Sequence, residues 1–281
     1  MREISAQAVA DEVKRLFLEA SFCIGPDVEA AVSAGIKAEP SPAGRAALEQ
    51  ILENYHIARD ERVAICQDTG MAVIFAEVGQ DAHIVGGSFE EAVNAGVRAA
   101  YDEGYLRKSV VAEPLFARVN TRDNTPAIVH TRLVPGDRIS LLATPKGFGS
   151  ENMSRVKMLV PADGVEGVKR FVVQTVVEAG PNPCPPVIVG VGVGGTLEKA
   201  ALMAKRCTAR PVGSHHDDPR YAALEAELLE AINATGVGPA GTGGRVTALA
   251  VHIDYYPTHI AGLPVAVNMC CHAARHAQAI L

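Results

Sequence analysis

The chain has 281 residues, of which 48% are hydrophobic, 21% charged and 5% aromatic, with no Trp. That balance excludes a disordered chain and allows a core large enough for one large domain or two intimately packed lobes. A formal net charge of −6 and a pI near 5.9 leave no basic stripe for a phosphate backbone, so nucleic acid is excluded as a partner and an anionic substrate must meet locally placed cations.

In chain order, Met1-Arg2-Glu3-Ile4-Ser5 leads straight into a charged amphipathic segment without the apolar stretch of a signal peptide. No span approaches the roughly 20 apolar residues of a membrane helix, so a cytoplasmic, reducing setting is expected. Val9, Val13, Leu16 and Phe17 form one helical stripe and Leu48, Ile51, Leu52 and Tyr55 another, with Ser41-Pro42 as cap and first turn of the second. Val63-Ala64-Ile65 reads as a strand that breaks at Cys66-Gln67-Asp68-Thr69-Gly70 and resumes at Met71 to Phe75. Ser88-Phe89-Glu90-Glu91 is a capping box opening a helix to about Asp102.

Ala127 to Leu133 and Arg138 to Thr144, joined by Val134-Pro135-Gly136-Asp137, are expected to pair antiparallel. A helix follows over Val165 to Ala179. The remainder alternates: a strand from Pro186 to Val193, a Gly turn, a helix from Thr196 to about Cys207, a helix opened by Asp218-Pro219, and strands at Val246 to Ile253 and Pro264 to Val267. The fold class is therefore α/β, a mixed β-sheet covered by helices with a helical N-terminal region. Residues 1–281 read as one domain, with Gly236 to Gly244 a candidate hinge or merely a long loop.

In a reducing setting the six cysteines point to metal or cluster ligation more than to disulfides. Cys23 and Cys207 continue helical or apolar contexts and fit small buried hydrophobes. Cys66, Cys184 and Cys271 sit instead at breaks in structure, beside polar or proline-rich residues that fix the backbone. No CxxC pair exists, and spacing alone decides little. Three thiolates without a local fourth ligand suit a four-iron, four-sulfur (4Fe-4S) cluster with one open iron, which can act as a Lewis acid.

The segments Ile65-Cys66-Gln67-Asp68-Thr69-Gly70, Arg122-Asp123-Asn124-Thr125-Pro126-Ala127, Lys146-Gly147-Phe148-Gly149-Ser150-Glu151-Asn152, Asn182-Pro183-Cys184-Pro185-Pro186 and Cys271-His272-Ala273-Ala274-Arg275 resemble the class I fumarase and tartrate dehydratase α subunits, over about residue 5 to the C-terminus. The resemblance implies that Cys66, Cys184 and Cys271 hold the 4Fe-4S cluster, the Cys-His-Ala-x-Arg pattern selecting Cys271 over its neighbour Cys270. It implies reversible hydration of fumarate to malate, with dehydration of L-tartrate or hydration of mesaconate as alternatives. It also implies a hetero-oligomer, because the family's remaining substrate-binding basic residues belong to a separate β subunit.

Two protons must move in such a reaction, and Asp68 is the expected acid/base. Gln67 is expected to hydrogen-bond a substrate carboxylate. Arg107 resembles the family's carboxylate-binding arginine, and Gly149 lies where a backbone N–H approaches the ligand. Each has a plainer reading, as a turn former for Asp68 and a solvated helix-end cation for Arg107. His272 and His130 serve equally well as structural histidines, and His215-His216-Asp217-Asp218 ends in a helix cap, so no second metal is placed there.

Two other classes compete. Gly190-Val191-Gly192-Val193-Gly194-Gly195 matches the GxGxxG of an NAD-binding oxidoreductase, although no acidic residue clearly ends a second strand. A non-catalytic iron-sulfur carrier, or a zinc protein with His272 as fourth ligand, is the other.

Overall fold

A computed structural model describes all residues, 1–281. In chain order the elements are β1 (Arg2–Ser5), α1 (Ala6–Phe22), α2 (Pro26–Ala38), α3 (Pro42–Glu61), β2 (Met71–Gly79), β3 (Ala82–Val85), α4 (Phe89–Glu103), β4 (Ile128–Val134), β5 (Ile139–Lys146), α5 (Phe148–Glu151), β6 (Arg155–Leu159), α6 (Gly164–Ala179), β7 (Val187–Gly194), α7 (Leu197–Cys207), α8 (Pro219–Asn233), β8 (Ala248–Tyr256), β9 (Leu263–Cys270) and β10 (Ala277–Ile280), with 3₁₀ turns at Pro161–Asp163 and Pro239–Gly241. No helix is long and apolar enough to cross a membrane. The chain divides into two compact units. Unit 1 comprises Met1–Ile24, Tyr55–Phe148 and Arg275–Leu281, and unit 2 comprises Gly25–Asn54 and Gly149–Ala274.

Unit 1 is built on a four-stranded mixed sheet of order β10-β5-β2-β4, with β1 and β3 forming a separate parallel ribbon. The α1 stripe of Val9, Val13, Leu16 and Phe17 is fully buried with Val93, Val97 and Tyr101 of α4 and with Ile74, Ile139 and Leu141 of the sheet. Each such side chain contributes about 1.5–3 kcal/mol by leaving water. Gly96 lets α1 and α4 approach, since a Cβ there would stand 2.5 Å from the Ala10 carbonyl oxygen. Ser88 caps α4 through the Glu91 N–H, while the Glu91 carboxylate pairs with Arg98.

Two strand expectations need correction. Residues 63–65 form no strand: Val63 is exposed, and the Ile65 N–H is taken by Ser21 O at 3.0 Å. The expected hairpin of β4 and β5 is also absent, because β2 lies between them, parallel to β4 and antiparallel to β5. With seven of its nine residues buried, β2 takes the central place, as a strand buried on both faces must. The 134–138 turn instead wraps over its end, where Val134 O, Gly136 O and Arg138 O accept the N–H groups of Gln80, Asp81 and Gly79.

Unit 2 holds a second mixed sheet, of order β6-β9-β7-β8. Alternation along β7 and β9 sorts its faces. Val187, Val189, Val191, Val265, Val267 and Met269 form a core with Val168, Val172 and Val176 of α6 and Leu228 and Ile232 of α8, whereas Ala266 packs with Ala200 and Ala204 of α7. Asp218 caps α8 through the Arg220 N–H, and the Arg220 guanidinium holds the Asp218 carboxyl down at about 2.

Candidate active site

The site residues fall into two groups, one in each unit. Unit 1 carries Cys66, Gln67, Asp68 and Arg107. The loop before β2 is bent by Asp68 itself, whose Oδ1 accepts the Gly70 N–H at 3.0 Å while Oδ2 accepts the Phe148 N–H at 2.7 Å. Two backbone donors thus fix both carboxylate oxygens and leave further lone pairs available. Gly70 is required twice over, by its φ of +76° and because a Cβ would stand 2.7 Å from the Lys146 backbone. Gln67 and Arg107 are exposed, and Cys66 and Asp68 are half-buried.

Asp68, Met71, Val110, Pro114, Arg118 and Phe148 help line a cavity of about 510 Å³ in unit 1. Unit 2 has an apolar cavity of equal volume lined by Val165, Val168, Tyr221, Leu224 and Leu263, which contains none of the expected site residues. The expected chemistry and the unit 2 cavity are therefore separate features, and the residue types favour the unit 1 cavity as the reactive one.

Beneath the Asp68 loop lies a buried polar framework that sequence reasoning missed. Thr69, 1% exposed, donates its hydroxyl to Arg107 O at 2.8 Å. The Tyr101 hydroxyl donates to Thr69 O at 2.7 Å, and burial pushes its pKa upward. Arg275 is 3% exposed, with its Nε and Nη1 lacking a protein acceptor. A Cβ on Gly147 would stand 3.1 Å from Asp68 Oδ2 and 3.3 Å from Arg275 Nη2, so Gly147 keeps that gap narrow and faces two site groups. The signal that could have found these residues is their place inside the Asp-Thr-Gly, Lys-Gly-Phe-Gly and Cys-His-Ala-Ala-Arg segments.

Unit 2 carries Gly149, Cys184 and Cys271. Cys184 stands at φ +53°, an uncommon conformation for a residue with a side chain, between Pro183 and Pro185. Backbone held in such a region is characteristic of functional positions. The structure brings two expected ligand segments together here, the His272 N–H donating to Cys184 O at 3.4 Å. The Cys271 thiol donates to Ala273 O at 3.8 Å. Gly149 is exposed, and a Cβ there would meet only Asn182 O, at an ordinary 3.7 Å, so packing gives no reason for a glycine.

None of the six cysteines is in a disulfide, and their environments differ. Cys184 is exposed, Cys66 and Cys271 are half-buried, and all three lie on irregular backbone. Cys207 is buried in α7, where exclusion from water pushes its thiol up to about 12 and Val191 O accepts its S–H. Thiolate ligation therefore suits the first three and not the last. Soft thiolates on rigid, accessible loops are the donor chemistry an iron-sulfur cluster needs.

The sequence model described as "Fumarate hydratase (Fumerase)" matches residues 10–280. A Methanocaldococcus jannaschii protein provisionally named L(+)-tartrate dehydratase subunit alpha is 41% identical over 278 residues, covering 96% of each chain. The L(+)-tartrate dehydratase subunit alpha of Escherichia coli strain UTI89 is 34% identical over 242 residues, 85% of this chain and 79% of its own. The K12 strain protein of the same name is 33% identical over the same length.

Proposed function

The chain belongs to the fumarate hydratase family and is a hydro-lyase, and from that premise we propose that it is the cluster-carrying α subunit of an enzyme that hydrates fumarate to malate reversibly. One observation carries the reading: Asp68, its two oxygens fixed by backbone donors, shares a hydrogen-bonded framework with Arg107 through the Thr69 hydroxyl. An acid/base and a carboxylate-binding cation joined by one hydrogen-bonded support are what a dicarboxylate hydro-lyase requires.

Dehydration of a 2-hydroxy diacid must expel hydroxide and take a proton from the carbon beside a carboxylate. We assign Cys66, Cys184 and Cys271 as ligands of a 4Fe-4S cluster, which when bound supplies a Lewis acid for the substrate hydroxyl. Asp68 holds or releases one of the two protons at a carboxylate oxygen whose direction is set by Gly70 and Phe148. Arg107 grips one substrate carboxylate with two parallel N–H donors, and Gln67 and the backbone N–H of Gly149 orient the remainder.

Relatives named as α subunits support a separate β subunit completing the pocket. Their L(+)-tartrate dehydratase names favour tartrate as a second substrate reading. The deciding experiment is anaerobic reconstitution with iron and sulfide in the presence of a co-expressed β subunit, followed by assays on malate, fumarate, L-tartrate and mesaconate. Turnover of malate and fumarate that depends on both the cluster and the partner is expected. A fully loaded complex that turns over none of the four would end the proposal, and selective turnover of tartrate would replace fumarate as the substrate.

A further inference from the structure

No step of that reaction uses the Asp-Asn-Thr-Pro segment directly, yet Asn124 is wholly buried, at 0% exposure. Its side-chain amide joins two separate stretches of backbone and also hydrogen-bonds the Tyr101 hydroxyl. Oδ1 accepts the N–H groups of Ser109 at 2.7 Å and Val110 at 3.2 Å, and Nδ2 donates to Gly70 O at 3.1 Å. Gly70 closes the turn that holds Asp68, and Ser109 follows Arg107 by two residues. A single side chain therefore ties the carboxylate loop to the cation segment.

Little else does. Residues 105–127 contain no helix or strand, only an isolated bridge between Val111 and Asn120. In such a segment a few point contacts decide where a side chain stands. The Thr69 hydroxyl makes one of them at Arg107 O, and Asn124 makes three more. The backbone at Asn124 has φ +61°, which asparagine adopts more readily than most residues. An aspartate would keep the shape and both acceptor contacts, but would set a carboxylate oxygen against the Gly70 carbonyl. Asp68, Gly70, Ser109 and Val110 all line the cavity in unit 1, so the amide braces its wall.

We propose that Asn124 is a positioning residue that sets the distance between Asp68 and Arg107 and so determines how firmly the dicarboxylate is held. This rests on the reading in which those two residues act on substrate. Asn124 touches no substrate and works through Arg107.

The test is a double-mutant cycle in the cluster-loaded complex with its β subunit, with malate as the varied substrate. Asn124→Asp removes the donating amide nitrogen, Asn124→Ser removes the whole brace, and Arg107→Met removes the cation. Each Asn124 variant is expected to raise KM about tenfold, the size of one lost buried hydrogen-bond group, while kcat changes by less than about threefold. In the Arg107→Met background the same substitutions should raise KM no further, because the group they position has gone. Equal KM increases in both backgrounds would overturn the positioning role while leaving the reaction standing. An Arg107→Met enzyme with unchanged KM would sink the assignment of Arg107, and this inference with it. Thermal melting run in parallel identifies a misfolded variant, and if one of the two Asn124 substitutions misfolds, the other carries the cycle.

Discussion

A Cβ atom on Gly192 would stand 2.1 Å from the carbonyl oxygen of Ala200, and one on Gly190 would stand 2.0 Å from that of Ala204. These glycines set the separation of β7 and α7, so the run that matches a dinucleotide fingerprint is occupied by helix packing. In a nucleotide fold the central glycine gives a pyrophosphate room to approach; here the space is filled by helix backbone.

Gly192→Ala is accordingly expected to lower stability by about 3 kcal/mol, because backbone cannot yield as a flexible side chain can. Chemical denaturation followed by circular dichroism checks this, and the unaltered chain should show no nicotinamide binding in a fluorescence titration. An unchanged denaturation midpoint would mean that α7 does not rest on these glycines.

The cysteines separate by environment. Replacing Cys66, Cys184 or Cys271 by Ser should abolish cluster assembly, measured as iron and sulfide content and as the visible absorbance of the reconstituted chain. Cys207→Ala should leave cluster content intact and cost about 1 kcal/mol of stability, the cost of a small cavity. Full iron content in any of the three Ser variants would remove that residue from the ligand set.

Helices were legible because their signals are local. The stripe from Val9 to Phe17, the caps at Ser88 and Asp218 and the Pro at the start of α8 each act within one or two turns. Strand partnership was not local: nothing in residues 127–144 announces that β2 will come between β4 and β5. The four-residue strands β1, β3 and β10 offer too few residues for a period to show. At the site, Asp68 and Arg107 were readable as chemical types, whereas Asn124 and Tyr101 act through tertiary contacts across 14 to 54 residues, and Arg275 lies beside the still more distant Gly147, separations that no spacing rule reaches.

Glu39 is buried, and its carboxylate accepts the N–H groups of Ser41 at 2.9 Å and of Arg245 and Val246 at 2.8 Å each. Burial opposes its charge, but the three donors outweigh that and hold its pKa below the ordinary 4.5. A carboxyl depressed in the fold contributes stability above its unfolded pKa and loses it as pH falls through the folded value. Glu39→Gln should therefore cost about 1–3 kcal/mol at neutral pH, with the deficit shrinking below about pH 4.5. Denaturation midpoints of both chains at several pH values test this, and a deficit independent of pH would show that charge plays no part.

His252 gives a second, higher window. It is 1% exposed, its Nδ1 lies 3.1 Å from Cys207 O, and its Nε2 has no partner. A carbonyl only accepts, so Nδ1 carries a proton, and the buried Nε2 finds no acceptor for a second one, which favours the neutral ring. Burial first, then the positive charge of Arg210, pushes the pKa down from 6.5 to about 4. As pH falls the unfolded chain therefore takes up its proton before the folded chain does. The stability His252 lends is complete above about 6.5 and is lost between there and about 4, on the order of 3 kcal/mol. His252→Asn keeps a donor for Cys207 O without a titrating ring, so its stability should stay flatter between pH 6.5 and 4 while the loss tied to Glu39 below 4.5 persists. If the two stability curves fall in parallel over that upper range, the acid sensitivity of unit 2 arises elsewhere.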